Sequence, residues 1–420
     1  MAQINDFLIE MNPWWKGGLE LDYKERDIYN KIKKFVNLKQ IIALTGLRRV
    51  GKTTLMMKII KDAIDSGTSK NNLLYFSFDE FKNSTIKNLL EEYSKIMQID
   101  LKSGKYFILL DEIQKLENWE EQLKTIYDLY NKNIKIIISG SESLFIKKKS
   151  KETLAGRLFE FKINNLTFKE YVRFKDKKID NIRLYSKELE RLFDSFMKTL
   201  GFPELTEITD YDILKKYIKE SIIDKIIYKD IPTLIKIKDI TLLEKILNTI
   251  TENPGQIIEI NSYSKELGIS RQSLSNYLYY LESAYLIRKL YNFSKNKRKT
   301  ERKLKRYYPT LLSPQSLFST DNLVKSKVFE TIIVNQLEAE FFWRDQYKNE
   351  VDIIISSEKI EPIEIKYGTA DTKGVITFMK KYKIKEGYII TKDKEDIITI
   401  NNHKISLIPA YKYLYNLKSN

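Results

Sequence analysis

Cysteine is absent from the 420 residues, and histidine occurs once, as His403. These gaps exclude disulfide scaffolds, thiolate zinc sites and thiol nucleophiles, and all but exclude histidine-based triads. Any metal must then be held by oxygen, which points to magnesium or manganese. Long apolar runs are missing too: none approaches the roughly 20 residues that span a bilayer. The opening MAQINDFLIEMNPWW has no basic stretch leading into an apolar one. The expectation is a cytoplasmic protein without membrane anchor or signal peptide. Acids are in deficit, 57 against 73 Lys and Arg, leaving a formal charge of +16. Such a surplus suits a polyanionic partner such as nucleic acid, and equally a solvated, lysine-rich surface of the kind heat-adapted proteins carry. Apolar residues make up 42% of the chain, a normal globular share, and the length calls for about two to four domains.

The richest stretch is KQIIALTGLRRVGKTTLMMKIIKDAI, residues 39 to 64: an apolar run, a loop bounded by glycines, then helical spacing of Leu55, Ile59 and Ile60. The loop has the pattern G-x-x-x-x-G-K-T at Gly46, Gly51, Lys52 and Thr53, with Arg49 inside it and Thr54 following. Glycines let backbone N–H groups close around phosphates, and the helix N-terminus adds partial positive charge. Lys52 would reach the β- and γ-phosphates and Thr53 would ligate magnesium. Further on, KYFILLDEIQKL (105 to 116) is an apolar strand ending in two acids. Ligands of parallel sheets sit at the carboxyl ends of strands, so Asp111 is expected to hold magnesium and Glu112 to orient and deprotonate the attacking water. A third strand, IKIIISGSES (134 to 143), brings Ser139 toward the γ-phosphate, with Ser141 as a substitute. Arg157, in ETLAGRLFEF, has two readings: an arginine finger offered to the nucleotide of a neighbouring subunit in a homo-oligomer, or a surface salt bridge or helix-end cation.

Taken in order, NPWWKG, LTGLRRVGKTT, LLDEIQ, ISGSES and LAGR resemble the prokaryotic AAA+-like ATPases of the archaeal ATPase type. In that branch the ATPase domain precedes a winged helix and a restriction-endonuclease-like C-terminal domain. LGFPEL (200 to 205) is similar to a Gly-x-Pro signature of the family's lid, and the resemblance implies that Pro203 lies near adenine. IIYKDI (226 to 231) adds to the likeness. One departure is Glu142, where the family usually has a small polar residue.

Residues 180 to 250 repeat apolar positions at helical spacing, as expected of a lid bundle. NSYSKELGISRQSLSNYLYYLESAYLIRKLYNF (261 to 293) has a short helix, Gly268 at its end, Ser270 as the N-cap of a second helix, then an extended run: a helix-turn-helix and wing. If it binds DNA, Arg271, Gln272, Ser273 and Asn276 face the bases. Tyr277, Leu278, Leu281 and Leu286 are core. The stretch SKNKRKTERKLKRYY follows, with eight Lys or Arg in positions 295 to 306 against Glu301, among them Lys297, Arg298, Lys299 and Arg302. It would track phosphates without reading sequence, or stand as a solvated loop.

The last segment reads α-β-β-β-α-β, the order of a restriction-endonuclease-like core. Its hairpin NEVDIIISSEKIEPIEIKYG (349 to 368) carries Asp352, Glu364 and Lys366, and residues i and i+2 of a strand share a face. Asp352 and Glu364 are expected metal ligands, with Lys366 lowering the pKa of a metal-bound water and Glu330 supplying an extra acid. Charges on the wet face of a strand are the alternative.

The expected fold is therefore α/β: a P-loop ATPase core with a parallel sheet (1–180), a helical lid (181–250), a winged helix with basic loop (251–308) and a restriction-endonuclease-like domain (309–420). Three functions compete: an ATPase using ATP and Mg²⁺ that drives a DNA-contacting half, an ATP-gated metal-dependent nuclease, and a non-catalytic scaffold switched by nucleotide for a protein partner.

Overall fold

The computed structural model describes residues 2–79, 84–140, 153–234, 239–296, 300, 304–369 and 371–417. The chain forms two compact units, residues 1–164 and 165–420. Among the described residues no helix is long and apolar enough to cross a membrane.

In the first unit five strands, β1 (Ile41–Thr45), β2 (Leu73–Ser77), β3 (Tyr106–Asp111), β4 (Ile134–Gly140) and β5 (Leu158–Lys162), pair in parallel in the order β2-β3-β4-β1-β5. Every residue of β1 and β4 is buried, as parallel strands covered on both faces require. The helices Lys52–Asp65, Ile86–Met97 and Trp119–Tyr130 bury their apolar faces. Beyond β1 the chain runs to the β2 edge; beyond β4 it runs past β1 to β5. Connections that diverge in this way leave a crevice at the carboxyl ends of the strands. Lys135 of β4, 8% exposed, donates to the Phe35, Leu38 and Gln40 carbonyls at 2.9, 2.8 and 2.6 Å. These bonds close the end of the helix Asp27–Val36, and burial draws the lysine down to about 7.

The second unit contains helices Ser186–Thr199 and Ile240–Glu252, then the pair Ile260–Glu266 and Arg271–Ser283. Ser270 accepts the Ser273 N–H at 3.0 Å, so the N-cap expected from the sequence is formed. The strands β6 (Gln256–Ile258), β7 (Ile287–Asn292), β8 (Lys305–Pro309), β9 (Phe341–Arg344) and β10 (Glu350–Val351) form a sheet in the order β10-β9-β7-β8-β6. A second sheet, in the order β11-β12-β13-β15-β14, is built from β11 (Ile353–Ser356), β12 (Ile360–Lys366), β13 (Glu386–Thr391), β14 (Asp396–Ile400) and β15 (His403–Pro409). The expected α-β-β-β-α-β order is present, with one difference: β9 pairs in parallel with β7 and not with β11 or β12. Asp352 is where the extended stretch 350–356 passes from one sheet to the other.

Candidate functional site

The phosphate loop joins the buried end of β1 to the helix Lys52–Asp65. Gly46 has φ 147°, and a Cβ there would lie 2.2 Å from the Ile163 carbonyl oxygen, so only glycine fits. Arg49 and Gly51 are left-handed, at φ 64° and 94°. The helix starts with no side-chain cap, leaving its first N–H groups open to an anion. Lys52, buried, donates to Gly46 O at 3.1 Å and Leu47 O at 2.8 Å and so braces the loop from within. Thr53 and Thr54 are exposed at the first turn. Arg26 supports the loop from outside through Val50 O at 2.9 Å.

Asp111 ends β3 and is buried. The Thr53 hydroxyl donates to its Oδ2 at 2.6 Å and the Tyr75 phenol to the same oxygen at 2.8 Å; Ser139 donates to Oδ1. Burial, with the Asp111 carboxylate beside it, raises the Tyr75 phenol well above its usual range. Glu112 is left-handed (φ 51°), and its Oε2 accepts from Gln114 Nε2 at 2.6 Å. A cleft of about 450 Å³ opens over Thr53, Tyr75, Ser77, Asp111 and Glu112, walled by Phe7, Glu10 and Met11 of the helix Ala2–Met11. Thr53 and Asp111 give hard oxygens at the mouth of an open helix N-terminus, a donor set that fits magnesium. Tyr75 escapes sequence reasoning because it lies in no motif and only the fold brings it to Asp111; Gln114 closes the LLDEIQ motif, but its bond to Glu112 was not read from it.

Ser139 is fully buried, and its Oγ also accepts the Glu112 N–H at 3.3 Å, so its bonds go to the acid pair. Arg157 pairs with Asp128, Nε to Oδ1 at 2.9 Å, and lies over the Tyr127 ring. Pro203 opens a short 3-10 turn in the second unit. Arg271, Gln272 and Asn276 are exposed on their helix and Ser273 is half-buried, while Tyr277, Leu278, Leu281 and Leu286 are core. Lys297, Arg298, Lys299, Arg302, Ser141 and Glu142 lie outside the described residues.

The C-terminal acids do meet. The register Ile353 to Ile363 sets Asp352 against Glu364, and the Ile365 N–H donates to Asp352 Oδ2 at 2.9 Å. Lys366 donates to Glu364 Oε1 at 2.8 Å, and Tyr308 to Glu330 at 2.7 Å. Glu364 is 8% exposed, so the alternative of charges on a wet strand face does not hold for it. Burial, reinforced by the Asp352 charge, lifts Glu330 to about 7 and Glu364 to about 8. The sequence also errs on Arg306. Counted in the basic run as a phosphate contact, it is 7% exposed and pairs with Glu350 and with Asp352 Oδ1, the latter at 3.3 Å. Strand alternation turns it inward from β8, where the carboxylates wait. Asp352 and Glu364 have only Glu364 Oε2 left without a partner, and no group of three His, Cys, Asp or Glu side chains suited to a metal occurs among the described residues. As arranged, the cluster does not fit a divalent ion.

The profile of the AAA domain family matches residues 38–172. Two profiles described as domains of unknown function, DUF8612 and DUF4143, match 190–310 and 319–413. Among solved structures, that of the Aeropyrum pernix Orc1 protein in complex with DNA is 14% identical, covering 74% of this chain and 93% of that one, with a TM-score of 0.32. The uncharacterised protein MJ1637 of Methanocaldococcus jannaschii is 28% identical, over 93% of this chain and 90% of its own. MJ1544 of the same organism is 30% identical, over 94% of this chain and 93% of its own. On that likeness, which runs nearly end to end in both proteins, the chain belongs to the family of MJ1544, and it carries an AAA domain on a parallel α/β sheet.

Proposed function

We propose that the chain binds ATP with magnesium, hydrolyses it, and uses the nucleotide state to govern DNA contact by residues 251–308, read as a winged helix. The observation that carries this reading is the 2.6 Å hydrogen bond from Thr53 to Asp111, which brings the phosphate loop and the acid pair into one site. Lys52 trades its loop carbonyls for the β- and γ-phosphates, and the open helix N-terminus receives their charge. Thr53 and Asp111 would hold magnesium, which would supply charge neutralisation on the phosphates. Glu112, held on one oxygen by Gln114, takes the proton of the attacking water with the other. Steady-state ATP hydrolysis with magnesium or with EDTA tests the reading, and full turnover in Lys52→Ala refutes it.

The exposed Arg271, Gln272 and Asn276, on a helix with a formed N-cap, support the DNA half of the proposal. Affinity for duplex DNA that falls steeply with salt is the expected result. Binding indifferent to salt favours the nucleotide-switched scaffold instead.

A second reading, metal-dependent nucleic-acid cleavage at Asp352, Glu364 and Lys366 with Glu330 nearby, is favoured by the partnerless Glu364 Oε2 opposite Asp352. It requires Arg306 to leave Asp352. Nicking with Mn²⁺ or Mg²⁺ that vanishes in both Asp352→Ala and Lys366→Ala supports it, and cleavage persisting in both disposes of it.

A further inference from the structure

The motif NPWW at residues 12 to 15 has no part in the chemistry above, yet its side chains are spent on one strand. β2 is the edge of the parallel sheet, and an uncovered edge is a liability. Asn12 closes it as a neighbouring strand would: Nδ2 donates to Tyr75 O at 2.9 Å, and Oδ1 accepts the Tyr75 N–H at 2.7 Å. The same Nδ2 donates to Leu8 O at 2.7 Å, tying the clamp to the helix that walls the nucleotide cleft. Trp14 and Trp15 both donate their indole N–H to Leu73 O, at 3.1 and 2.9 Å. Pro13 starts the tight turn that brings Asn12 and both rings to the strand. Tyr75 is thus fixed through its backbone, and its phenol is aimed at Asp111 Oδ2 at 2.8 Å, the oxygen that Thr53 also bonds.

We infer that Tyr75, clamped by Asn12, is a positioning residue for the magnesium-bearing carboxylate of Asp111, so that the N-terminal segment is a working part of the nucleotide site. The inference rests on the ATP-site reading above. A hydroxyl has one proton to donate and two lone pairs to offer. Thr53 can therefore turn its lone pairs to the metal, but it fixes Asp111 only along one direction. Ser139 and the Glu112 N–H hold the other oxygen, Oδ1; the Tyr75 phenol supplies a second direction at Oδ2, the oxygen Thr53 shares, and as a neutral donor it orients Asp111 without cancelling the charge magnesium needs.

The test compares wild type, Tyr75→Phe and Asn12→Asp in three measurements: ATP affinity with magnesium, ATP affinity in EDTA, and Tm. Tyr75→Phe keeps the ring and removes the donor. It is expected to weaken the magnesium-dependent part of ATP affinity about tenfold, with affinity in EDTA unchanged and Tm lowered by a few degrees at most for the lost hydrogen bond. Asn12→Asp keeps the acceptor and loses the donor, so it should show a smaller shift in the same direction together with a lower Tm. A merely structural Tyr75 would lower Tm and both affinities together. Magnesium dependence identical to wild type in Tyr75→Phe overturns the inference while leaving the ATPase reading intact. Absence of turnover in wild type, with the Tyr75→Phe shift present, sinks hydrolysis and leaves the positioning role standing. ATP affinity in wild type that ignores magnesium overturns both.

Discussion

Each unit buries a carboxylate cluster at a strand end, and the two are held in opposite ways. Asp111 receives three hydroxyls, from Thr53, Tyr75 and Ser139. Asp352 and its neighbours receive cations: Arg306 bonds Asp352 and Glu350, and Lys366 bonds Glu364. Hydroxyls orient a carboxylate and leave its charge available to a metal. Guanidinium and ammonium groups satisfy the charge themselves. Two acids on a strand are therefore not yet a metal site; what donates to them decides whether they can serve one.

The comparison is broken most directly on the first unit. Lys52→Ala should abolish ATP binding and turnover. Glu112→Gln should lower turnover about a hundredfold to ten-thousandfold while ATP still binds, as measured by steady-state hydrolysis and equilibrium binding. A mild loss in Glu112→Gln would mean that Asp111 and Glu112 are held for structure.

Stability should show the reverse ranking. Arg306→Met leaves the half-buried Asp352 without its cation, while Glu350 keeps Arg344, and should cost about 2–3 kcal/mol in urea unfolding of the second unit. Adding Glu364→Gln should recover part of that loss above about pH 8, where Glu364 would otherwise carry a neighbouring charge. Asp111→Asn, which meets only hydroxyls and the Glu112 N–H, should cost no more than about 1–2 kcal/mol.

The clusters also predict opposite responses to pH. Glu330 and Glu364 have folded values raised from 4.5 to about 7 and about 8. Their contribution is full below about 4.5, and it is lost as pH rises through 7 to 8, because the folded state then gives up its extra protons. Lys135 is lowered from 10.5 to about 7, so the unfolded chain binds more protons between those values. Stability of the first unit should therefore rise with pH across that window. Thermal unfolding at pH 6 and pH 9 should move the two transitions by a few degrees in opposite directions. Glu364→Gln should flatten the second, and Lys135→Met the first.

Arg157→Ala is the smallest expected effect on stability, less than about 1 kcal/mol, because its partner Asp128 is half-exposed and the pair is solvent-screened. The same variant sharpens the account of the first unit. Specific turnover that rises with protein concentration in wild type and stays flat in Arg157→Ala is the outcome for a finger acting between subunits.

The phosphate loop, the acid pair and the Ser270 cap were legible because each is local: a few residues whose spacing alone fixes the backbone they adopt. The meeting of Asp352, Glu364 and Lys366 was legible as well, since strand alternation and hairpin register are also short-range rules. The sequence misread Arg306, whose neighbours in the chain are basic and whose neighbours in space are acidic. It was silent on Tyr75, which lies in no motif, and on the part that Gln114 plays within LLDEIQ.

What the sequence by itself determined is therefore the inventory of local devices and the kind of sheet that holds the first unit. Only the tertiary structure decided which donors face each carboxylate, because that follows from strand order and from pairings up to 58 residues apart for Thr53 and Asp111. Whether a buried acid stays charged for a metal or is satisfied by a cation is settled by those long-range neighbours, since burial makes the nearest donor dominate its electrostatics.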